Sequence, residues 1–400
     1  MQRYKSTIAM ALTGIALMGF SACNDAEYSP LERQAFFAET KTNANIAQKI
    51  TVEDDGTPVT FHVQLSSPAE GDTHFGVEFD EAALKKYNED NFTNYELLPA
   101  SGYDMPIKEV TLKEGESLSG DIGIHVNPFT EEQKAKAKKF ALPLKLVSKD
   151  GKQAVLNSGG SMILLFDKVV RQDVPTYNAH VPFQFKMKED FNSIQWTVEF
   201  CVNIDRLGEK VGEMNNQQLL CGWGNSSEDG EIFSRFGDAP IEGNRMNIKA
   251  QGGQLNSNTQ FAAGKWYHVA IVSNGSSLKL YVNGVLDKSE AVSGKPVHIK
   301  ADNWWFGNHD GERFQYLKAN VKVSELRIWS KALSQPQIAN NMYGTDLTAE
   351  GLYAYFKLNE GVGNDFKDAR EGNENKGAKS ASSDGDVEWT KNVRIDGKEK

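Results

Sequence analysis

The chain is short of the residues that build metal centres, disulfide frameworks and nucleic-acid surfaces. Only three cysteines, Cys23, Cys201 and Cys221, occur in 400 residues. A length suggesting two or three domains provides hydrophobic cores that need no cystine scaffold. The seven histidines never fall in His-x-x-Glu-His or His-Glu-x-x-His spacing, so a zinc site has no support. Gly-x-Ser-x-Gly and phosphate loops are also missing. Cations are in deficit, with a formal net charge of -10. Phosphate binding needs Lys and Arg clustered on one face, and without such a stripe nucleic acid is excluded as a partner. The one basic run, Lys134 to Lys139, follows Thr130-Glu131-Glu132-Gln133. That quartet has the form of a capping box, which predicts a short solvated helix with cations near its C-terminal end.

Long apolar runs are equally scarce. Arg3 and Lys5 precede Ile8 to Phe20, a run too short to span a bilayer as a mature helix and shaped like a secretory signal over residues 1–22. It closes with Ser21-Ala22-Cys23, which resembles the bacterial lipobox, with Phe20 where Leu is usual. The resemblance implies that Cys23 becomes the lipidated first residue of an outer-membrane protein. Asn24, Asp25 and Glu27 open a polar tether over residues 23–34. They resemble the export signal of surface lipoproteins in polysaccharide-utilising gut bacteria, which implies a cell-surface location.

What is abundant is alternation. Val59, Phe61, Val63 and Leu65, then Phe75, Val77 and Phe79, Ile122, Ile124 and Val126, and Leu142, Leu144 and Leu146 predict a small sandwich. A helix is expected from Glu81 to Asn88, capped by Asp80. Tyr87, Asn88, Asn94 to Pro99 and Leu112 to Glu116 resemble the immunoglobulin-like N-terminal domain of unknown function found on outer-membrane lipoproteins and ahead of some endoglycosidases. The resemblance spans residues 35–167 and implies a spacer or platform. Residues 168–182, with Arg171, Asp173, Pro175 and Pro182, break the alternation and are expected as a linker.

The most informative stretch is Trp266 to Gly284. Trp266, His268, Ala270 and Val272 alternate with Tyr267, Val269 and Ile271; after Asn274-Gly275 come Leu278, Leu280 and Val282, and then Asn283-Gly284. Asn-Gly supplies the positive φ of tight hairpins, so a meander of antiparallel strands is expected. This stretch, with Trp196 to Phe200, Glu325 to Trp329 and Leu352 to Leu358, resembles the laminin-G-like, concanavalin A-like jelly-roll family over residues 183–393. The expected fold class is therefore all-β, an immunoglobulin-like sandwich followed by a jelly-roll sandwich.

Catalytic patterns are thin. Concanavalin-like hydrolases commonly set Glu-x-Asp-x-Glu along one strand, and glycosidases need two carboxyl groups about 5–9.5 Å apart. Glu78-Phe79-Asp80 fails at Ala82, while Glu228, Asp229 and Glu231 have the wrong period. The expectation is a binding module and not an enzyme. Sugar rings match a flat aromatic beside amides and carboxylates on mounted loops, so Trp223, Asn225, Trp304, Asn308, His309, Asp310 and Arg313 are the candidate glycan contacts. Trp304 and Phe306 share a face and Trp305 takes the other, so at least one of the three is expected to be buried. Each Trp has core packing as its competing role, and Asn364, Asp365 and Asp368 have turn capping. The jelly-roll resemblance also implies calcium, with Asp365 and Asp368 as oxygen ligands. Cys201 and Cys221 are either bridged or two free thiols. The reading is a lipid-anchored surface protein that binds glycan. A hydrolase with an unfamiliar site, or a module that binds surface proteins, is the alternative.

Overall fold

The computed structural model of the chain describes residues 33–41, 47–91, 93–135, 139–224, 231–307 and 313–396. Cys23, its flanking signal and the tether as far as Glu32 lie outside them, and Gln34, expected as the end of the tether, opens the Gln34–Phe37 strand. Two β units follow one another, each with its own core.

In the N-terminal unit a six-stranded sheet runs Ala47–Val52, Ser161–Lys168, Lys139–Ser148, Thr73–Phe79, Glu109–Leu112, with Tyr95–Leu97 beside Lys139–Ser148. It shares one core with two three-stranded sheets through Phe37, Phe61, Phe75, Leu112, Ile122 and Leu144. Asp80 caps the Glu81–Asn91 helix by accepting from the Ala83 N–H at 3.1 Å. The Asn-rich motif that follows is a staple. Asn88 accepts from the Tyr95 N–H at 2.9 Å, donates to the Tyr95 carbonyl at 2.8 Å and accepts from the Thr93 hydroxyl at 2.8 Å. Those bonds tie the helix to its neighbouring strand. Thr130 and Gln133 form the expected reciprocal cap, at 2.8 and 3.2 Å, on the Glu131–Ala135 helix.

The C-terminal unit is two eight-stranded sheets packed face to face. The first runs Val285–Ala291, Ser277–Val282, Trp266–Ser273, Trp196–Ile204, Val321–Trp329, Arg171–Tyr177, Glu388–Arg394, with Leu352–Phe356 alongside Val321–Trp329. The second runs Gly253–Asn256, Met246–Ala250, Ile232–Phe236, Gln217–Gly222, Trp304–Phe306, Phe183–Lys186, Lys376–Lys379, Asp365–Lys367. The meander forms as the alternation requires, and Asn283 and Gly284 turn at φ 50° and 77°. Val269, Ile271, Leu278 and Leu280 enter the core between the sheets. Ala270, Val272 and Tyr281 face outward beneath a cap that contains the Gln335–Asn340 helix.

Arg171–Tyr177, inside the stretch expected as linker, is a strand of the first sheet. Pro175 hides it from an alternation count, yet Val174 to Tyr177 are all buried, so the C-terminal core begins before Phe183. The two units also touch beyond the junction. Arg394 grips Glu53 with two bonds at 2.8 and 2.9 Å, and Lys49 and Lys139 donate to the carbonyls of Ala339 and Asn340. Burial pushes the Lys139 ammonium down to about 8.

Candidate functional site

Alternation along the second sheet sends Trp304, Phe306, Ile232, Phe236, Met246 and Ile248 into the core and the intervening residues outward. Because the strands are in register, the outward side chains line up. Gln254, Lys249, Phe233, Cys221, Trp305, Gln184, Ala378 and Asp365 form one row across all eight strands. The Trp305 indole N–H donates to Asn303 Oδ1 at 2.9 Å, which fixes the ring on this face. Phe233 packs against Trp223 with ring centroids 5.4 Å apart, and the Arg235 guanidinium carbon lies 5.1 Å from the Phe233 centroid.

A second, polar row stands beside the first. Arg235 is in register with Asn247, and Asn247 with Asn256. Arg235 Nε donates to Asn247 Oδ1 at 3.1 Å, Asn247 Nδ2 to Asn256 Oδ1 at 2.7 Å, and the Arg235 fork reaches Asn216 and Asp238. Arg235 and Trp305 are each 9 % exposed, Phe233 6 % and Asn247 0 %, so the first three reach the surface only at their edges and Asn247 acts from beneath, by holding Arg235. Burial, opposed by Lys249 and Arg235, pushes the neighbouring Glu231 carboxyl up. Rigid, pre-paired polar groups beside an indole are what a saccharide face needs, since little ordering remains when a ligand arrives.

Of the residues expected to form one loop patch, only Trp223 and Trp304 have described side chains. Trp304 is fully buried and belongs to the core, its ring centroid 5.7 Å from that of Phe191. Its indole lies over Gly222, where an added Cβ would sit 3.0 Å from the ring. Trp304 as a glycan platform is therefore corrected, and Trp305, one residue on, occupies the outer face. Gly222 pairs with Trp304 and the Gly307 N–H donates to the Leu219 carbonyl at 3.2 Å, so antiparallel pairing puts Trp223 and Gly307 at opposite ends of the ladder between these strands. Asn225, Asn308, His309 and Asp310 lie outside the described residues, and Arg313 is described only as the start of the Arg313–Tyr316 helix. Phe233, Arg235, Asn247 and Asn256 were missed. Their signal was present as polar or aromatic residues alternating with Ile232, Ser234, Met246 and Ile248.

The calcium assignment is corrected as well. Asp368 accepts from the Arg370 N–H at 3.0 Å and from Asn373 and Asn375 at 2.8 Å each, so its oxygens cap a turn. Asp365 sits in a strand with its side chain exposed. Among the described residues no group of three or more His, Cys, Asp or Glu is arranged to hold a metal ion. Cys201 and Cys221 are not bridged to each other: both are buried, on outward positions of different sheets, so they face opposite sides of the sandwich.

One carboxylate cluster does exist, on the outer face of the first sheet. Arg327 Nε lies 2.9 Å from Glu199 Oε1 and its Nη1 3.6 Å from Glu325. Trp329 Nε1 donates to Glu199 at 2.9 Å, and His268 Nε2 is 3.2 Å from Glu199 Oε2. Burial raises the Glu199 carboxyl, but Arg327 and His268 together hold it below its ordinary value; burial prevails at Glu325, which is pushed up, and at His268, which is pushed down. Glu199, His268, Glu325 and Arg327 are at most 3 % exposed. Arg327 donates to the carbonyls of Asn341 and Met342 at 2.8 and 2.9 Å. The cluster anchors the cap and has no opening through which a glycosidic bond could enter.

Comparison with known proteins agrees with the fold. The sequence profile of the concanavalin A-like lectin/glucanases superfamily matches residues 177–339, and that of an N-terminal domain matches residues 31–153. A candidate carbohydrate binding protein from Bacteroides ovatus ATCC 8483 is similar at 20% identity and a TM-score of 0.50, over 90% of this chain and 99% of that one. The SAP-like pentraxin of Limulus polyphemus is similar at 16% identity and a TM-score of 0.34, over 53% of this chain and 98% of that one. EndoBT-3987 of Bacteroides thetaiotamicron, solved with a Man5GlcNAc product, is similar at 15% identity and a TM-score of 0.29, over 34% of this chain and 30% of that one. No curated protein matches the chain.

Proposed function

The chain carries a concanavalin A-like domain behind an N-terminal β domain, and from that premise we propose that it binds glycan on the outer face of the second sheet. The observation that carries the reading is the registered row with Trp305 between Gln184 and Cys221, continued by Phe233 one strand beyond Cys221 and by the Arg235, Asn247 and Asn256 ladder beside Phe233. The C–H groups of a sugar meet the electron-rich face of an aromatic ring while amides meet its hydroxyls. The Bacteroides ovatus protein described as a candidate carbohydrate binder supports the same class. Capture is the proposed mode of action, and the buried Glu199, Arg327 and Glu325 cluster beneath the cap serves as an anchor in this reading. A lipid anchor at Cys23 on the outer membrane, with capture at the cell surface, completes the proposal and rests on the apolar run and Ser21-Ala22-Cys23.

A glycan array on the full chain tests it. Trp305→Ala should weaken retention of the bound glycan by roughly 1–3 kcal/mol. Wild-type retention on no glycan, or full retention by the variant, would refute the assignment.

A further inference from the structure

A groove of about 530 Å³ opens on the other sheet, between the Trp266–Val282 hairpin and the cap that leads into the Gln335–Asn340 helix. Val272 and Leu333 supply its apolar walls, and Tyr281, Lys279, Asn274 and Gln337 its polar ones. The orientation of both amides is set by backbone donors. Asn274 Oδ1 accepts from the N–H groups of Ser276 and Ser277 at 3.1 and 2.9 Å. Gln337 Oε1 accepts from the Ser334 N–H at 2.9 Å, as part of the helix capping box. A carbonyl oxygen occupied this way leaves only the NH₂ end of each amide for a ligand.

Lys279 adds a cation. It makes no ion pair among the described residues, and none of the residues lining the groove is acidic. The nearest acid of the adjoining strand, Glu290, is in register with Leu278, which faces the core, and pairs with Lys288 at 3.1 Å. In a chain of net charge -10 this is a cation beside two donor amides with no carboxylate in the lining. Such a set is matched by an oxyanion, and the Tyr281, Val272 and Leu333 walls are matched by the C–H body of a ring.

We infer that this groove is a second binding site, distinct from the Trp305 face, and that it takes a carboxylate-bearing pyranose, a hexuronic acid residue. The carboxylate faces Lys279 and the amides of Asn274 and Gln337. The ring lies against Tyr281.

Saturation-transfer NMR on the full chain with sodium glucuronate tests this, with glucose and acetate as matched controls. In the Trp305→Ala background, which lacks the glycan face, glucuronate should bind, and glucose and acetate should not. Lys279→Met should weaken glucuronate binding at least fivefold. Gln337→Glu should abolish it while preserving the helix cap, because a carboxylate accepts the same bonds from Ser334. Trp305→Ala should leave it unchanged, which separates this site from the glycan face. The inference is overturned if glucuronate does not bind or binds equally to Lys279→Met, if glucose binds as well as glucuronate, or if acetate does, since the last would mean anion attraction without ring recognition.

Discussion

Replacing Arg327 should unlock the cap over the first sheet. The guanidinium is fully buried, and it balances Glu199 at 2.9 Å while holding the carbonyls of Asn341 and Met342. Arg327→Met keeps the aliphatic volume but strands an ionised carboxylate beside a histidine whose own protonation is disfavoured by burial. Breaking a buried pair from one side costs about 3–5 kcal/mol, a large share of the roughly 5–15 kcal/mol that holds a typical domain. Glu199→Gln should cost a similar amount, because among the described residues it leaves Arg327 with Glu325 as its charged partner, at 3.6 Å. The double variant removes both charges and should lose less than the sum, by about 0.5–3 kcal/mol. All seven tryptophans fall between Trp196 and Trp389, so fluorescence-detected urea unfolding reports the C-terminal unit alone. Strictly additive losses, or a loss below about 1 kcal/mol in Arg327→Met, would refute the view that this cluster is a coupled anchor.

Three other outcomes are expected. Trp304→Ala should destabilise the C-terminal unit by about 3–5 kcal/mol in the same unfolding assay, and an unchanged midpoint would remove Trp304 from the core. His62 lies 2.9 Å from Glu39 and 3.0 Å from Asp121, and the Glu39 hydrogen bond leads the causes that raise its pKa. Its contribution to stability is therefore fully present below its ordinary value of 6.5 and lost as pH rises through the raised folded value; His62→Asn should flatten that slope in calorimetry, and an unaltered slope would assign it elsewhere. For the proposed anchor, Cys23→Ala should move the protein from the membrane to the soluble fraction, since stable attachment needs several buried acyl chains, and unchanged fractionation would count against lipidation.

The amino-acid order by itself determined the local chemistry. Period-two alternation, the Asn-Gly turn at Asn283, the Asp80 cap and the Thr130 to Gln133 capping box each depend on neighbours within a few residues, so they are legible without a fold. The same holds for the jelly-roll blocks, whose order along the chain carries the sheet pairing. Parity also put Trp304 and Trp305 on opposite faces. Which of them meets the core was a tertiary decision, made when the Trp304–Phe306 strand came to lie between Gln217–Gly222 and Phe183–Lys186, with Gly222 clearing space for the Trp304 ring. The row on the outer face joins residues as far apart as Gln184 and Asp365, and the donor-rich groove joins Lys279 to Gln337. No local pattern encodes such neighbours. Glu199, Glu325 and Arg327 show this most plainly, because each reads as an ordinary polar position on a strand face until the cap closes over them and burial makes their charges interdependent.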